Sequence, residues 1–487
     1  MGHDNRPGRW AAPSIPIRFA RCDPPTRFVD SPQPIYLMLP GPVPKTTDLL
    51  LLVGPEGICG VFEPLPARLF PEGVKAVGVL LPHVVRAIEE EPEGFFLVPM
   101  SSDDGPPDDP SQWDPEFARR LDSLAVHVKQ GGEKTPDRFY SDDAVFTTCE
   151  PYGRLRIEAA WAPAMLTGDV AGYFTEKDGR LDLETTTVRE TALGDAIALP
   201  VAEGTFVLID DRGNELEFRA DDIFVDSETS LESDYCFACS PIHPQSRVQE
   251  KLRLSVRVRV YPGGLARLDV VLHNQGRARH RGGLWDLGDP GSIVFRELVF
   301  RLRFKNRPQT IVVRETPSAD ARRFEPKDDF RWSLFQGGSG GPHPKHPTHV
   351  NRQGRVPVRE EGYRTTLRID GKETSTTGKR ASPVAAVAWD EFALEFCAPR
   401  FWQTFPKALR ISPDLLEYAL FPAEWDDLHE LQGGEKKTHT FWLRLRTTMQ
   451  EEPTDTTLDW VVNPVRVVVP SAEPSAATVW DDLMGFA

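Results

Sequence analysis

The sequence predicts a mainly β protein, with an N-terminal β-barrel-like module followed by a large antiparallel β-sandwich and few short helices. After residue 250, apolar and polar residues alternate in several runs, as on strands that bury one face. Loops rich in glycine and proline separate these runs, and no helix-like segment lies between them. The 45 prolines among 487 residues also favour turns and strand edges. These observations exclude an all-helical bundle.

Residues 1–160 are the least regular part of the chain and are predicted to be an α+β region. The segment 103–114 has five aspartates and no lysine or arginine, so we expect a solvated surface loop there. Apolar residues at helical spacing predict short helices on either side, at 80–88 and 117–128. The apolar run at 48–54 is too short to cross a membrane and is interpreted as a buried strand.

The remaining chain divides into two β regions and a tail. Residues 161–249 are predicted to be a β-rich module, because short strand-like runs alternate with turns such as Asp210-Asp-Arg-Gly-Asn. Residues 250–468 are predicted to form the sandwich. Its clearest signal is a hairpin in which alternating apolar residues from Leu252 to Val260 resume at Ala266 after Pro262-Gly-Gly. Residues 469–487 are interpreted as a tail.

Charge and cysteine content narrow the class of protein. The net charge of −16 argues against a protein that binds nucleic acid by neutralising phosphates, and nothing in it favours an anionic membrane surface. Six cysteines in so long a chain are too few for a disulfide scaffold. The first thirty residues contain no apolar run typical of a signal peptide. We therefore expect a cytoplasmic protein with no nucleic-acid or membrane partner.

Basic residues and histidines concentrate in the predicted sandwich. Residues 341–380 contain nine lysines and arginines against four acidic residues, although the whole chain is acidic. Such a patch attracts an anionic ligand, but it is also consistent with a basic outer face of alternating strands. Loops at 273–292 and 334–349, and a third pair of segments at 401–408 and 427–439, combine titratable residues with glycines and tryptophans. These loops are the candidates for chemistry.

The motifs in these loops resemble the exo-rhamnogalacturonan lyase family, the YetA-like proteins. The resemblance is carried in order by HNQGRARHRGGLWDLGDPGS, GYRTTLRIDGK, RFWQTFPKAL, LFP at 420–422 and DLHELQGGEKKTHTFWL. It covers residues 160–468 and is strongest after residue 265. The resemblance implies an N-terminal RIFT barrel, a central β-sandwich and a C-terminal α/α toroid. After residue 468 only a short tail follows, so a toroid is not expected in this chain.

The resemblance implies a function in binding or cleaving uronate-containing polysaccharide or oligosaccharide, by β-elimination if the chain is catalytic. Elimination removes a proton beside a carboxylate and expels the glycosidic oxygen, which requires a base, an acid and a cationic clamp. Guanidinium forks suit the carboxylate, and tryptophan faces suit sugar rings. The candidate base and acid residues are Lys407, His429 and Tyr363, and the candidate substrate-binding residues are Arg364, Arg380, Trp402, Gln403 and Trp285.

Each candidate also has a structural interpretation. Trp285 and Trp402 are typical of core anchors, Lys407 can cover apolar surface with its stem, and Tyr363 can serve packing alone. The alternative function is a non-catalytic carbohydrate-binding or assembly subunit whose partner is a separate toroid-containing chain. Cys236 and Cys239 have the spacing of a metal pair, but no second pair follows at suitable spacing. We therefore predict neither metal nor cofactor.

Overall fold

The computed structural model describes 21 stretches of the chain, and most of their residues lie in β-strands. This confirms the mainly β fold class. The described residues are 15–20, 33–39, 49–55, 57–65, 75–80, 88, 94–100, 145–149, 154–160, 169–177, 180–186, 201–228, 232–242, 251–261, 265–278, 289–342, 357–358, 360–390, 392–447, 458–462 and 464–468. Within this part of the chain, no helix has the length and apolar character needed to cross a membrane.

A seven-stranded antiparallel sheet contains most of the described N-terminal residues. Its strands are β1 (Ile15–Ala20), β2 (Gln33–Met38), β3 (Leu49–Gly54), β4 (Gly57–Leu65), β5 (Lys75–Leu80), β6 (Phe95–Met100) and, from the far end of the chain, β28 (Arg466–Val468). They pair in the order β2–β5–β4–β3–β6–β1–β28. Leu50 and Leu52 are fully buried in its core, which confirms the predicted strand at 48–54.

The other described strands form one antiparallel network. They are β7 (Val145–Cys149), β8 (Arg154–Ala160), β9 (Asp169–Lys177), β10 (Arg180–Thr186), β11 (Val201–Asp210), β12 (Glu215–Glu228), β13 (Ser233–Ile242), β14 (Leu252–Tyr261), β15 (Leu265–Asn274), β16 (Ile293–Phe304), β17 (Thr310–Arg314), β18 (Arg322–Phe324), β19 (Arg331–Gln336), β20 (Tyr363–Ile369), β21 (Lys372–Gly378), β22 (Val384–Ala388), β23 (Phe392–Cys397), β24 (Lys407–Ser412), β25 (Leu415–Phe421), β26 (His429–Leu431) and β27 (Lys436–Thr447).

Most of these strands belong to a single continuous ribbon that turns back on itself. The pairing order is β21–β20–β19–β24–β25–β16–β11–β12–β13–β14–β15–β27–β23–β22–β17–β18. Register shifts interrupt the pairing of β12 with β13, between Ala220 and Asp222 and between Val225 and Ser227. Such bulges bend strands and increase their twist. The bulged pair joins the two halves of the ribbon.

The two halves pack face to face through an aromatic core. Phe300 on β16 lies 5.0 Å from Phe441 on β27, measured between ring centroids. Tyr418 on β25 lies 5.3 Å from Phe441 and 5.1 Å from Phe396 on β23. All four side chains are at most 1% exposed. The predicted antiparallel sandwich is confirmed by this packing of two sheet layers.

The alternation that predicted the hairpin at 252–274 sets its register. Leu254 pairs with Leu272, and Val258 pairs with Leu268. These four side chains are fully buried in the main core. Because side chains alternate between the faces of a strand, this register turns every second residue of both strands to the same core.

The structure differs from the sequence-based boundaries in two places. β13 and β14 pair directly across the expected boundary at 249/250, and β11 pairs with β16, so the module before residue 250 shares the sheet of the sandwich. The last strand, β28, was expected in the sandwich. It pairs instead with β1 in the N-terminal sheet. Alternation shows that a strand has a buried face, but it does not identify the partner strand.

Several expectations for the ends of the chain fall outside the described residues. They are the acidic loop at 103–114, the helix at 117–128 and the tail at 469–487. Of the first predicted helix at 80–88, only the two end residues are described: Leu80 is the last residue of strand β5, whereas Ile88 is helical, and both are buried. The N-terminal 160 residues were expected to be irregular, but their described part consists mainly of β1–β6, β7 and β8.

Candidate functional site

Most of the predicted site residues lie at one end of the sandwich. Gln336, the last residue of β19, pairs with Lys407 on one side and with Tyr363 on the other. Tyr363 in turn pairs with Gly378, the last residue of β21. We call this the Lys407 end, formed by residues 336–341, 360–364, 378–381 and 400–407, with His429 and His439 beneath it.

Lys407 is buried, and its ammonium group holds the adjoining turn. Its Nζ donates hydrogen bonds to the carbonyl oxygens of Thr404 at 2.7 Å, Leu420 at 2.8 Å and Pro406 at 3.2 Å. Burial and the charge of Lys437 lower the pKa of Lys407 to about 7. Three carbonyl acceptors require three N–H donors, so this geometry binds the protonated form and leaves Nζ without a lone pair.

His429 is also buried and engaged. Its Nε2 lies 2.9 Å from the carbonyl oxygen of Pro422. Because a carbonyl only accepts, Nε2 carries the proton of the neutral ring. Burial lowers the pKa of His429 to about 4. The ring packs parallel to Trp425 with centroids 6.4 Å apart. His429 is therefore a neutral imidazole within an aromatic setting.

His439, on β27, is a titratable member of this cluster that is absent from the candidate site residues predicted from the sequence. It is 6% exposed, and neither ring nitrogen has a hydrogen-bond partner in the described part of the chain. Its ring meets the edge of Phe421, with centroids 4.9 Å apart. Burial first, and then the charges of Lys407 and Lys437, hold the pKa of His439 well below its usual value. The polar–apolar alternation of β27 gave no signal for this environment.

Gln336 anchors the loops that surround the Lys407 end. Its Nε2 donates to the carbonyl oxygens of Gly338 at 2.6 Å and Lys379 at 3.0 Å, and its Oε1 accepts from the Ala381 amide at 2.9 Å. The side chain is fully buried. It therefore fixes residues 337–341 against 379–381. The Gly-rich sequence around Gln336 marks a turn, but only the structure shows this anchoring role.

Arg380 and Trp402 form the exposed rim of this end. The Arg380 guanidinium lies 4.1 Å from the Trp402 ring centroid, and its Nε donates to the Ser339 carbonyl oxygen at 3.1 Å. Arg380 is exposed and Trp402 is half-buried, so the tryptophan is not a core anchor. Gln403 is exposed beside it. This contact joins the turn after β21 to the turn before β24.

Arg364 and Tyr363 differ in setting although they adjoin in sequence. Arg364 is exposed and forms an ion pair of 3.1 Å with Glu360. Tyr363 is half-buried, and its ring lies directly against Gly378. The contact is so close that a Cβ on this glycine would be 2.4 Å from the ring. Burial and the nearby Glu315 raise the pKa of Tyr363, which disfavours the phenolate that a base would require.

The predicted residues therefore fall into two groups. Arg364, Arg380 and Gln403 are exposed and Trp402 and Tyr363 are half-buried, whereas Lys407 and His429 are buried. Trp285 lies outside the described residues. The structure thus separates residues that are open to a ligand from residues that support the turns.

Arginines on the neighbouring strands β16 and β24 form ion pairs with carboxylates of the sandwich. Arg410 on β24 forms ion pairs with Glu297 at 2.8 Å, with Glu417 at 3.3 Å and with Glu424. Arg301 on the neighbouring β16 binds Glu417 at 2.8 Å. Among the paired arginines, Arg364 belongs to the basic segment 341–380, and its ion pair with Glu360 agrees with the structural interpretation of that segment as a basic strand face.

No metal centre is formed by the described residues, among which no three histidine, cysteine or acidic side chains come together. Cys236 and Cys239 both lie on β13. An offset of three residues puts them on opposite faces of the strand. Cys239 is buried in the core and Cys236 is half-buried. This placement explains why the pair does not converge as metal ligands.

Comparison with known proteins gives distant structural similarity alone. No protein-family model matches the sequence, and no curated protein is detectably similar to it. Several solved structures align with a little under two thirds of this chain. Galactose 1-epimerase from Lactobacillus acidophilus aligns with a TM-score of 0.29 and 11% identity, covering 62% of this chain and 98% of its own.

Two other alignments are equally distant. A TPR-domain containing protein from Parabacteroides distasonis gives a TM-score of 0.32 and 11% identity, covering 64% of this chain and 49% of its own. A GH36 alpha-galactosidase from Geobacillus stearothermophilus gives a TM-score of 0.32 and 7% identity, covering 64% and 40%. The alignment thus covers less than half of the length of each of these two proteins. The similarity assigns neither a family nor a function to this protein.

Proposed function

We propose that the protein is carbohydrate-active and binds an acidic, uronate-containing oligosaccharide at the rim of the Lys407 end. The observation that carries this proposal is the Arg380 guanidinium stacked 4.1 Å over the Trp402 ring at an exposed position. A guanidinium held against an aromatic plane is pre-ordered for a carboxylate.

The polar atoms of the rim suit this ligand. Arg380 uses Nε for Ser339, and its two terminal nitrogens have no hydrogen-bond partner in the described part of the chain. Two parallel N–H groups match the two oxygens of a carboxylate. Gln403 lies next to Trp402 and offers both a donor and an acceptor for sugar hydroxyls. Arg364 is exposed but already paired with Glu360, so Arg380 is the cation that this proposal assigns to the carboxylate.

The buried residues favour binding as the first function. Lys407 donates to three carbonyl groups and His429 donates to one, and both side chains are at most 5% exposed. A general base must reach the proton that it removes. In the present geometry Lys407 instead holds the turn that carries Trp402 and Gln403, and His429 holds the chain at Pro422, after β25.

The test is calorimetric titration with oligogalacturonate and with neutral galactan fragments. We expect the acidic ligand to bind and Arg380→Ala to weaken it by about 1.5–3 kcal/mol, the range for a hydrogen bond to a charged group. Trp402→Ala should also weaken binding. The control is Lys379→Ala, which removes an adjacent exposed charge that does not stack on Trp402. Equal losses from Lys379→Ala and Arg380→Ala would show that only overall charge matters.

Lyase action is the second candidate, favoured by one observation. The pKa of Lys407 is lowered to about 7, where a general acid or base works best at neutral pH. If the turn at 400–406 opens on binding, Nζ loses its carbonyl partners and becomes available. The reaction would release unsaturated uronate from rhamnogalacturonan or polygalacturonate. A Lys407→Arg variant that still binds but forms no such product would support elimination, and wild-type protein that binds without forming product would exclude it.

A further inference from the structure

A separate cleft lies between the end of β16 and the turn that joins β24 to β25. Its volume is about 320 Å³, and it is lined by Phe304, Lys305, Asn306, Arg307, Asp328, Arg331, Pro413 and Asp414. Small-molecule sites span about 300–1,000 Å³, so this cleft fits a ligand the size of a monosaccharide. None of the residues predicted from the sequence lines it.

The cleft is distinct from the Lys407 end. Lys407 is the first residue of β24, while Pro413 follows its last residue, Ser412. Six strand residues at about 3.3 Å each separate the two sites by roughly 20 Å. A ligand in the cleft therefore does not touch Arg380 or Trp402.

The polar groups of the cleft include unused donors and acceptors. Arg331 is exposed and uses Nη1 for the carbonyl oxygens of Phe330 at 2.6 Å and Asp328 at 3.2 Å. Its Nε and Nη2 donate to nothing within the described stretches. Asn306 is exposed, and its side-chain amide has no partner there either. Asp414 accepts from the Ser412 hydroxyl through Oδ1 at 2.7 Å, which leaves Oδ2 for a ligand.

The apolar wall of the cleft is firmly held. Phe304 meets Trp389 edge to face with centroids 5.3 Å apart. The Trp389 indole donates to the Asn306 carbonyl oxygen at 3.0 Å. The Phe304 amide donates to the Asp414 carbonyl oxygen at 2.9 Å. These contacts join the three segments and prearrange the wall, which lowers the ordering cost of binding.

The charge of the cleft favours a single anionic group. Three basic residues face two acidic ones, in a molecule whose net charge is −16. Arg307 and Asp328 form an ion pair with each other. Arg331 forms no ion pair within the described stretches, so it is the cation assigned here to the ligand, and a carboxylate suits its planar group.

We propose that this cleft is a second ligand site that binds a hydroxylated carboxylic acid of monosaccharide size. Its carboxylate binds the Arg331 guanidinium, and its hydroxyl groups bind the Asn306 amide and the Asp414 carboxylate. Phe304 and Pro413 form the apolar wall against the ring. A neutral sugar lacks the carboxylate that binds Arg331, and a simple anion lacks the hydroxyl groups that bind Asn306 and Asp414.

The test is isothermal titration of the full chain with D-galacturonate, D-galactose and acetate. We expect saturable binding of galacturonate, with the other two at least about tenfold weaker, because each lacks one set of contacts. Arg331→Ala should weaken galacturonate binding about tenfold or more. The matched control is Arg368→Ala, because Arg368 pairs with Arg331 across β19 and β20 and is exposed, but does not line the cleft.

Each outcome separates this site from the rim at the Lys407 end. Loss of galacturonate binding in Arg331→Ala but not in Arg380→Ala supports the cleft, whatever the result with oligosaccharides. The opposite pattern would overturn the proposal, as would equal effects of Arg331→Ala and Arg368→Ala. Acetate binding as tightly as galacturonate would overturn the recognition of hydroxyl groups. Unfolding midpoints of the variants show whether each is folded before titration.

Discussion

Three titratable side chains surround the ring of Phe421 at the Lys407 end. The Lys407 Nζ lies 5.5 Å from the ring centroid, and the centroids of His429 and His439 lie 5.2 Å and 4.9 Å from it. Burial lowers the pKa of both imidazoles, so they are neutral near pH 7. Neutral histidines leave Lys407 as the only charge of the three. Protonation of either ring would place a further positive charge in a buried site beside Lys407, which would destabilise the cluster.

Replacing His439 with leucine should make the protein more resistant to acid. The folded-state pKa of His439 lies well below its usual value of 6.5, so the unfolded chain binds a proton that the folded chain does not. Stability is therefore lost as pH falls below 6.5, at up to about 1.4 kcal/mol per pH unit for one proton. His439→Leu removes the imidazole whose protonation favours the unfolded state.

Urea unfolding at pH 7.5 and pH 5 measures the effect. We expect the stability of His439→Leu relative to wild type to be greater at pH 5 than at pH 7.5, because only the wild type takes up the proton on unfolding. His429, whose pKa is lowered to about 4, remains in both proteins and contributes equally. A difference that does not change with pH would contradict this account.

Replacing Lys407 with methionine should destabilise the fold far more than the same change at Lys437. Lys407→Met leaves up to three carbonyl groups unpaired, each at about 1–3 kcal/mol when buried. Lys437 is exposed and paired with Glu435, an interaction worth about 0–1 kcal/mol. Below the lowered pKa of Lys407, which is about 7, both changes remove one positive charge, so the two variants are compared at pH 6. Equal losses in chemical unfolding would mean that the carbonyl contacts of Lys407 contribute little.

At the scale of elements, the strands were far easier to predict than the loops between them. Alternation predicted the hairpin of β14 and β15, because a buried face requires a period of two along the chain. It did not identify the partner of β28. This strand has only three residues, and it pairs with β1 in the N-terminal sheet. The exposed Arg380 and Trp402 meet across two loops far apart in sequence. Local patterns contain no information about such a meeting.

Gln336 also links loops that are far apart in sequence, through side-chain hydrogen bonds that local patterns do not predict. Gln336→Met keeps the volume of the side chain but removes its bonds to Gly338, Lys379 and Ala381. We expect a loss of about 2–4 kcal/mol in unfolding free energy, together with weaker oligosaccharide binding because Arg380 loses its support. The control is Gln309→Met, since Gln309 is exposed and bonds Asp390 at the surface. Unchanged binding in a destabilised Gln336→Met would mean that Arg380 is positioned independently of Gln336.

At the scale of the whole molecule, the N-terminal sheet and the sandwich meet over a mixed apolar and polar contact. Tyr36 and Val77 of the sheet belong to one buried cluster with Tyr261 and Trp442 of the sandwich. The Tyr36 hydroxyl donates to Glu232 and contacts the hydroxyl of Tyr261. Glu232 therefore lies where the two sheets join.

Charged groups of the sandwich surround Glu232. Arg259 and Asp234 on β14 and β13 act on it most strongly, with a smaller effect from Arg257. Arg259 itself forms ion pairs with Asp234 at 3.1 Å and Asp269 at 3.2 Å. The positive charge of Arg259 is thus shared between carboxylates. Burial outweighs this attraction, and the pKa of Glu232 is raised to about 7.

Glu232→Gln should stabilise the protein at high pH and have little effect at low pH. The folded-state pKa of about 7 exceeds the usual 4.5, so the contribution of Glu232 is fully present below pH 4.5 and is lost as pH rises to 7. The loss is about 3 kcal/mol, from about 1.4 kcal/mol per pH unit. Glutamine is neutral throughout and keeps an acceptor for Tyr36. Denaturant unfolding at pH 5 and pH 8 measures the difference, with exposed Glu215→Gln as the control. A gain from Glu232→Gln that is equal at both pH values would show that shape, rather than charge at the junction of the two sheets, accounts for its effect.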